Sequence, residues 1–143
     1  MYMGEYNHTI DIKGRVIVPA KLRESLGDKF VITKGLDGCL FGFDDVEYKI
    51  FEDKLKALTI TKSDARKFAR YFLAGAASIE VDKQGRALIP TNLREFAEIE
   101  KDVVLVGVGN RIEIWSKKKW DDATSFDDME DIAEHMEELG FGI

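Results

Sequence analysis

The chain has 143 residues, 45% hydrophobic and 34% charged, with a net charge of −6. That is about one ordinary domain, and no apolar run approaches the ~20 residues that a membrane-spanning helix needs. Cys39 is the single cysteine, which excludes an intrachain disulfide and suits a reducing compartment, and the opening MYMGEYNHTI has neither the basic flank nor the long apolar stretch of a secretory signal.

A strand is expected from about Gly4 to Ile12, followed by a turn at Lys13-Gly14 and a second strand, RVIVP. Glycine supplies the backbone freedom of the turn, and Pro19 ends the strand because it cannot donate to a ladder. The fixed φ of Pro19 suits the start of a short helix, AKLRESLG, which Gly27 stops. KFVITKGLDGCLFGF then reads as a β-hairpin turning at Asp37-Gly38. Two helices follow. Asp44 or Asp45 caps the first, with Val46, Ile50, Phe51, Leu55 and Leu58 as its apolar stripe. Ser63 is the expected cap of the second, whose stripe is Ala65, Phe68, Ala69, Phe72, Leu73 and Ala76.

The same order then returns. Ile79–Asp82 ends a strand, Gln84-Gly85 is a turn, RALIP is a strand and Asn92–Ala97 a short helix. DVVLVGVGNRIEIW is a hairpin turning at Gly109-Asn110. DIKGRVIVPAKLRE, from Asp11, and DKQGRALIPTNLRE, from Asp82, match at a constant offset of 71 residues, and the hairpins at 72. The chain is a tandem of β-β-α-β-β repeats. Halves this small bury too little surface alone, so a shared core is expected. The division predicted is residues 4–50 for the first repeat, 51–76 for linking helices, 77–120 for the second repeat and 121–143 for the tail. Ser125 and Asp128 have capping-box spacing, and Phe126, Met129, Ile132, Ala133, Met136 and Leu139 continue a helical stripe. The tail is therefore expected to be a docked amphipathic helix.

Charge is unevenly distributed. Residues 121–143 hold nine acidic residues and no Lys or Arg, whereas residues 1–120 carry a net of +3. A nucleic-acid binder needs a local basic patch rather than a basic total. The candidate patch is the pair Asp11-x-x-x-Arg15 and Asp82-x-x-x-Arg86. Each arginine opens a strand beside a carboxylate able to hold it in one rotamer, and an oriented guanidinium fork matches O6 and N7 of guanine or two phosphate oxygens. Lys13 and Lys83 lie in the same turns, and Lys21, Arg23 and Arg94 add charge on the short helices. The plainer reading is that the aspartates shape turns and the arginines clip them. Duplication favours DNA, since pseudo-twofold readers face a duplex naturally.

Other readings are weaker. Each aspartate has an arginine four residues away to keep it ionised, unlike the dry dyad of an aspartic protease. GVGNRI lacks the third glycine of a dinucleotide fingerprint, and His8 and His135 are too isolated for a metal site. No nucleophile–base set appears, so neither an enzyme, a cofactor nor a small-molecule substrate is expected. Arg66, Lys67 and Arg70 read as a solvated helix face, with a secondary phosphate contact as the alternative. In SKKKW, Trp120 is expected to anchor in the core beneath snorkelling lysines. The runner-up function is an antitoxin-like or scaffold interaction module using the acidic tail.

DxKGRVxVPAKLRE followed by DxxGRxLIPxxLRE, with MGEYNHTID at one end and RIEIWSKKKWD near the other, resembles the MraZ family of the wider AbrB-like group. The resemblance covers nearly the whole chain. It implies an α+β fold in which the repeats close one pseudo-twofold swapped-hairpin β-barrel flanked by helices. It also implies a transcription factor binding repeated boxes upstream of a bacterial division and cell-wall gene cluster that commonly includes its own gene. Ring-shaped homo-oligomers, a cytoplasmic, nucleoid-associated location, and DNA contacts by Arg15 and Arg86 are further implications. In the second loop Ile12 and Lys13 are replaced by Lys83 and Gln84, so the two loops are not expected to touch DNA identically.

Overall fold

A computed structural model describes residues 1–143. The first repeat forms β1 (Tyr2–Thr9), β2 (Arg15–Ile17), α1 (Ala20–Leu26), β3 (Lys29–Lys34) and β4 (Leu40–Phe43). Helices α2 (Asp45–Lys56) and α3 (Ser63–Ala74) follow. The second repeat supplies β5 (Ala77–Glu80), β6 (Arg86–Leu88), α4 (Thr91–Phe96), β7 (Asp102–Gly109) and β8 (Ile112–Ser116), then α5 (Lys117–Ala123) and α6 (Met129–Glu138). The fold is α+β and its ladders are antiparallel.

The two repeats do not fold side by side. One sheet runs β1-β7-β8-β4-β3-β5, and β2 pairs with β6 in a separate ribbon. Each repeat's first strand therefore pairs with the other repeat's third strand: β1 with β7, and β5 with β3. The equivalent strands β4 and β8 pair with each other, as do β2 and β6. Val16 faces Ala87, and Phe41 faces Glu113. These are equivalent positions at the offsets of 71 and 72, so the pseudo-twofold axis passes through both pairs.

Period-2 alternation divides the apolar residues between two cores. Val103 and Leu105 join Ile32, Leu40, Ile112 and Ile114 on one face, under Val16, Ala87, Ile89 of the ribbon segments and Leu22 and Leu93 of α1 and α4. Val104 and Val106 join Phe41, Phe43 and Trp115 on the other face, under Leu55 of α2 and Phe72 of α3. Burial on both faces explains why DVVLV reads as a continuous apolar run. Phe72 stacks on Phe41, and Thr33 Oγ1 donates to the carbonyl of Phe72 at 2.7 Å, tying α3 to β3. Cys39 is fully buried, and burial pushes its thiol up to about 12.

Several local expectations hold. Asp44 caps α2 by accepting from the Glu47 N–H at 2.8 Å, and its carboxylate also receives the Tyr2 hydroxyl. Gly27 ends α1 with φ 78°, and Asp37 and Gly38 turn with φ 66° and 83°, the positive values that such a turn demands. Trp120 packs edge-on against Trp115, as a core anchor would.

Others need correction. The first strand spans Tyr2–Thr9, because β7 offers partners only up to that point. Ser63 lies inside α3. The cap is Lys62, with no side-chain bond, and Arg66 Nη1 instead holds the carbonyl of Ile60 at 2.7 Å. Ser125 donates to Asp127 at 3.0 Å and forms no capping box. Helix α5, unforeseen, is capped by Ser116, which accepts from the Lys119 N–H at 3.2 Å. The tail does form a helix, but α6 buries none of its residues on its own chain. No helix is long and apolar enough to cross a membrane.

Candidate nucleic-acid interface

The Asp11–Arg15 loop is built by one side chain. Asp11 Oδ1 accepts from the backbone N–H of Lys13 at 3.0 Å and of Arg15 at 2.9 Å. Its Oδ2 accepts from Arg15 Nε at 2.7 Å. The second loop repeats the set: Asp82 Oδ1 takes Gln84 N–H and Arg86 N–H at 2.9 Å each, and Oδ2 takes Arg86 Nε at 2.8 Å. Both structural roles given to the aspartates from sequence are thus present: they shape the turns and they orient the arginines. The clip uses only Nε. The four N–H groups on the terminal nitrogens of each guanidinium have no partner in the chain and remain available as a fork.

Those same bonds hold both carboxylates below the usual carboxylate range. The backbone N–H of Arg15 acts most strongly on Asp11, opposed by desolvation and helped by the Arg15 side chain. Arg86 acts likewise on Asp82. Ionised aspartates and fixed guanidiniums therefore persist together near neutrality.

Register places the two loops on one surface. In the ribbon Arg15 faces Leu88 and Arg86 faces Ile17. Residues facing each other share a face, and diagonal neighbours lie ~7–8 Å apart, so Arg15 and Arg86 stand close together on the outer side. Val16 and Ala87 between them point into the core, each 1% exposed. Lys13 and Lys83 are exposed at the turn tips. Lys21 is exposed on α1, and its repeat partner is the uncharged Asn92.

Arg23 and Arg94 occupy places that the linear order conceals. Arg94 lies over Gly14 of the first loop: a Cβ added to that glycine would sit 2.6 Å from the guanidinium carbon. Arg23 lies over Gly85 of the second loop, where a Cβ would sit 1.9 Å from Nη1. Both glycines also have positive φ, 89° and 80°. Each Asp–Arg loop is thus completed by an arginine from the other repeat. The crossing is fixed by backbone bonds, Ile89 N–H to Gly14 O at 2.9 Å and Val18 N–H to Gly85 O at 2.8 Å. The halves are not equal. Arg94 donates to Ile89 O and Thr91 Oγ1, both at 2.9 Å. Ala20 stands where Thr91 stands in the repeat, and Arg23 has no such bonds.

Sequence reasoning overlooked Ile17 and Leu88, which share the outer ribbon face with the arginines and are 48% and 52% exposed. Alternation along RVIVP was the available signal, since Ile17 is two residues from Arg15. Arg66, Lys67 and Arg70 lie on α3, on a separate element from the ribbon. No group of His, Cys, Asp and Glu is placed to hold a metal ion.

A family model described as "MraZ protein, putative antitoxin-like" matches residues 1–71 and again 72–139. The chain is 60% identical over 141 residues to the transcriptional regulator MraZ of Thermoanaerobacter sp. (strain X514), covering 97% of this chain and 99% of that one. It is 60% identical over 139 residues to the transcriptional regulator MraZ of Caldanaerobacter subterraneus subsp. tengcongensis, covering 96% and 97%. With that of Clostridium beijerinckii it shares 57% over 141 residues, covering 98% and 99%. These relatives are named as regulators rather than enzymes, in keeping with the missing nucleophile–base set. The solution structure of PHS018 from Pyrococcus horikoshii aligns at a TM-score of 0.33 and 18% identity, covering 80% of this chain and 88% of that one, too slight a likeness to build on. With a family match in each repeat and near-full-length relatives at this identity, the chain belongs to the MraZ family.

Proposed function

We propose that this chain is a sequence-specific DNA-binding transcriptional regulator that presents the β2–β6 ribbon and its two flanking loops to the major groove. The observation that carries the reading is the paired clip: two guanidiniums on one outward face, each fixed through Nε with its terminal N–H groups free. The major groove admits a two-stranded β-ribbon, and a guanidinium bonds O6 and N7 of guanine in bidentate fashion. Lys13, Lys83, Arg23 and Arg94 surround the clips with charge suited to phosphates, and Lys21 adds to it more distantly. The exchange of strands between repeats supports a swapped-hairpin barrel of the AbrB-like kind as the frame. Family membership supports a target upstream of the division and cell-wall gene cluster, including this chain's own gene, and a place on the nucleoid in the cytoplasm.

Binding is by an oligomer on directly repeated boxes. Val46, Ile50, Phe68, Phe126, Met129, Ile132 and Leu139 are exposed on α2, α3 and in the tail, more apolar surface than an isolated chain leaves to water without cause. The same exposed tail favours a second reading, a docking element for a different protein. A gel shift with DNA upstream of its own gene tests the first. The wild type binds it in preference to unrelated DNA, and the folded Arg15→Ala/Arg86→Ala chain does not. Equal binding by that double variant overturns the assignment. A pulldown with the tail deleted separates the two readings: DNA is retained without the tail, and a protein partner is not.

A further inference from the structure

We infer that Ile17 and Leu88 are specificity residues that read the C5-methyl groups of thymine beside the bases taken by Arg15 and Arg86. This rests on the DNA-binding reading above and adds a second kind of contact to it. The outward face of the ribbon carries four side chains in a diagonal lattice, Arg15 opposite Leu88 and Ile17 opposite Arg86. The other apolar residues of RVIVP and RALIP are buried: Val16, Val18, Ala87 and Ile89 are no more than 1% exposed. Ile17 and Leu88 are half in water, 48% and 52%, at equivalent positions of both repeats. A solvated strand position tolerates polar residues without loss of core, yet both copies hold a branched aliphatic there. Chance exposure of one such residue is ordinary, but the same exposure twice, on the face that carries the guanidiniums, marks a surface with an apolar ligand.

Groove chemistry names that ligand. Aliphatic side chains neither donate nor accept, and the thymine methyl is the apolar handle that the major groove offers. Spacing agrees. Ile17 lies two residues from Arg15 on its own strand, ~6.6 Å, and ~5 Å from Arg86 across the ladder. With base pairs stacked ~3.4 Å apart, each aliphatic stands one to two steps from an arginine-bound guanine. Both kinds of contact can then be made in one docking, with guanine and thymine read by adjacent side chains.

The test replaces thymine by deoxyuridine throughout the bound upstream fragment, which removes the methyls and keeps base pairing. Loss of one well-buried methyl contact is worth about fourfold, so the wild type should bind the uracil fragment roughly fifteenfold more weakly when both contacts are made. Ile17→Ala/Leu88→Ala should bind the thymine fragment with that lowered affinity and the uracil fragment equally well. Equal wild-type affinity for both fragments overturns the inference, as does full discrimination by the double variant. A smaller oligomer from the double variant with its thymine preference intact also overturns it, placing the two residues at a contact between copies. Circular dichroism checks folding. Should the alanine pair fail to fold, Ile17→Val/Leu88→Val must narrow the thymine-to-uracil ratio, and an unchanged ratio overturns the inference. Failure of the wild type to bind either fragment sinks the DNA reading itself, whereas binding without a methyl preference leaves that reading standing and removes only the role of Ile17 and Leu88.

Discussion

Arg15 and Asp11 act as one unit, and so do Arg86 and Asp82, because the carboxylate holds Nε at 2.7 and 2.8 Å and leaves the rest of the fork free. On the proposed function, Arg15→Ala should remove a bidentate guanine contact and cost roughly 1–3 kcal/mol of discrimination between operator and unrelated DNA. Arg15→Lys should not restore it, since an ammonium is a point charge without the planar fork. Lys13→Ala and Lys83→Ala should lower affinity evenly across sequences and flatten its salt dependence, as lost phosphate contacts do. Competition gel shifts over a salt series distinguish the two patterns. The lowered pKa values of Asp11 and Asp82 set a pH dependence. A carboxylate whose folded value lies below its ordinary ~3.9 keeps its contribution above that value and loses it only as pH falls through the lowered one. The clips should therefore stay closed from pH 8 down to about 5, and operator preference measured by gel shift over that window should be flat as far as these two groups decide it. A sharp loss of preference near pH 6 would mean another group controls the arginines.

At the scale of elements, the short helices serve the opposite repeat. Helix α4 lays Arg94 over the first loop and α1 lays Arg23 over the second. Thr91 makes the difference between them, because its hydroxyl accepts from Arg94 while Ala20 offers nothing to Arg23. A side chain already held in place loses less freedom on binding, so the first loop should be the better-organised half-site. Thr91→Ala should weaken DNA binding by about one hydrogen bond, ~0.5–1.5 kcal/mol. Ala20→Thr should strengthen it by a smaller amount, reduced by a loss of helix propensity of up to ~0.7 kcal/mol. Titration calorimetry at fixed salt gives both values. A cycle pairing Arg15→Ala with Arg94→Ala should be non-additive, whereas Arg15→Ala with Arg23→Ala should add, because only the first pair shares a loop.

The whole molecule leaves its tail helix and much of α2 uncovered. Phe126→Asp or Met136→Asp places a charge on the apolar side of the tail, costly wherever that side is buried without a partner for the charge. Light scattering should then show a smaller particle while circular dichroism of the sheet is unchanged. On the proposed function, assembly should raise affinity, because one ribbon has a small footprint. Several ribbons on one duplex gain ~10²–10⁴ from tethering when all engage together. Boxes must then recur on one face of the helix, about 10 bp apart or a multiple. Inserting about 5 bp between boxes turns the second away and should remove most of that gain, and inserting about 10 bp should recover part of it. Equal affinity for all three spacings would show that each ribbon binds alone.

Sequence by itself determined what depends on near neighbours. The Asp-x-x-Gly-Arg turns, the proline starts of α1 and α4, the Asp44 cap and the second copy of each are set by residues within one turn of each other, and their physics is local. It also revealed the duplication, and with it the candidate arginines. Tertiary structure decided everything that joins distant segments. Nothing local says that β1 pairs with β7 rather than β2, because the choice depends on the core that the two repeats share. Helix α3 begins at Ser63 itself rather than after a Ser63 cap, because Lys62 and the Arg66–Ile60 bond end the preceding loop there, and in α5 Trp120 packs on Trp115. Arg23 and Arg94 looked like additions to their own repeats. Strand exchange carries each to the other's loop, since the bonds from Val18 and Ile89 to the opposite glycines can form only once the two halves interlock.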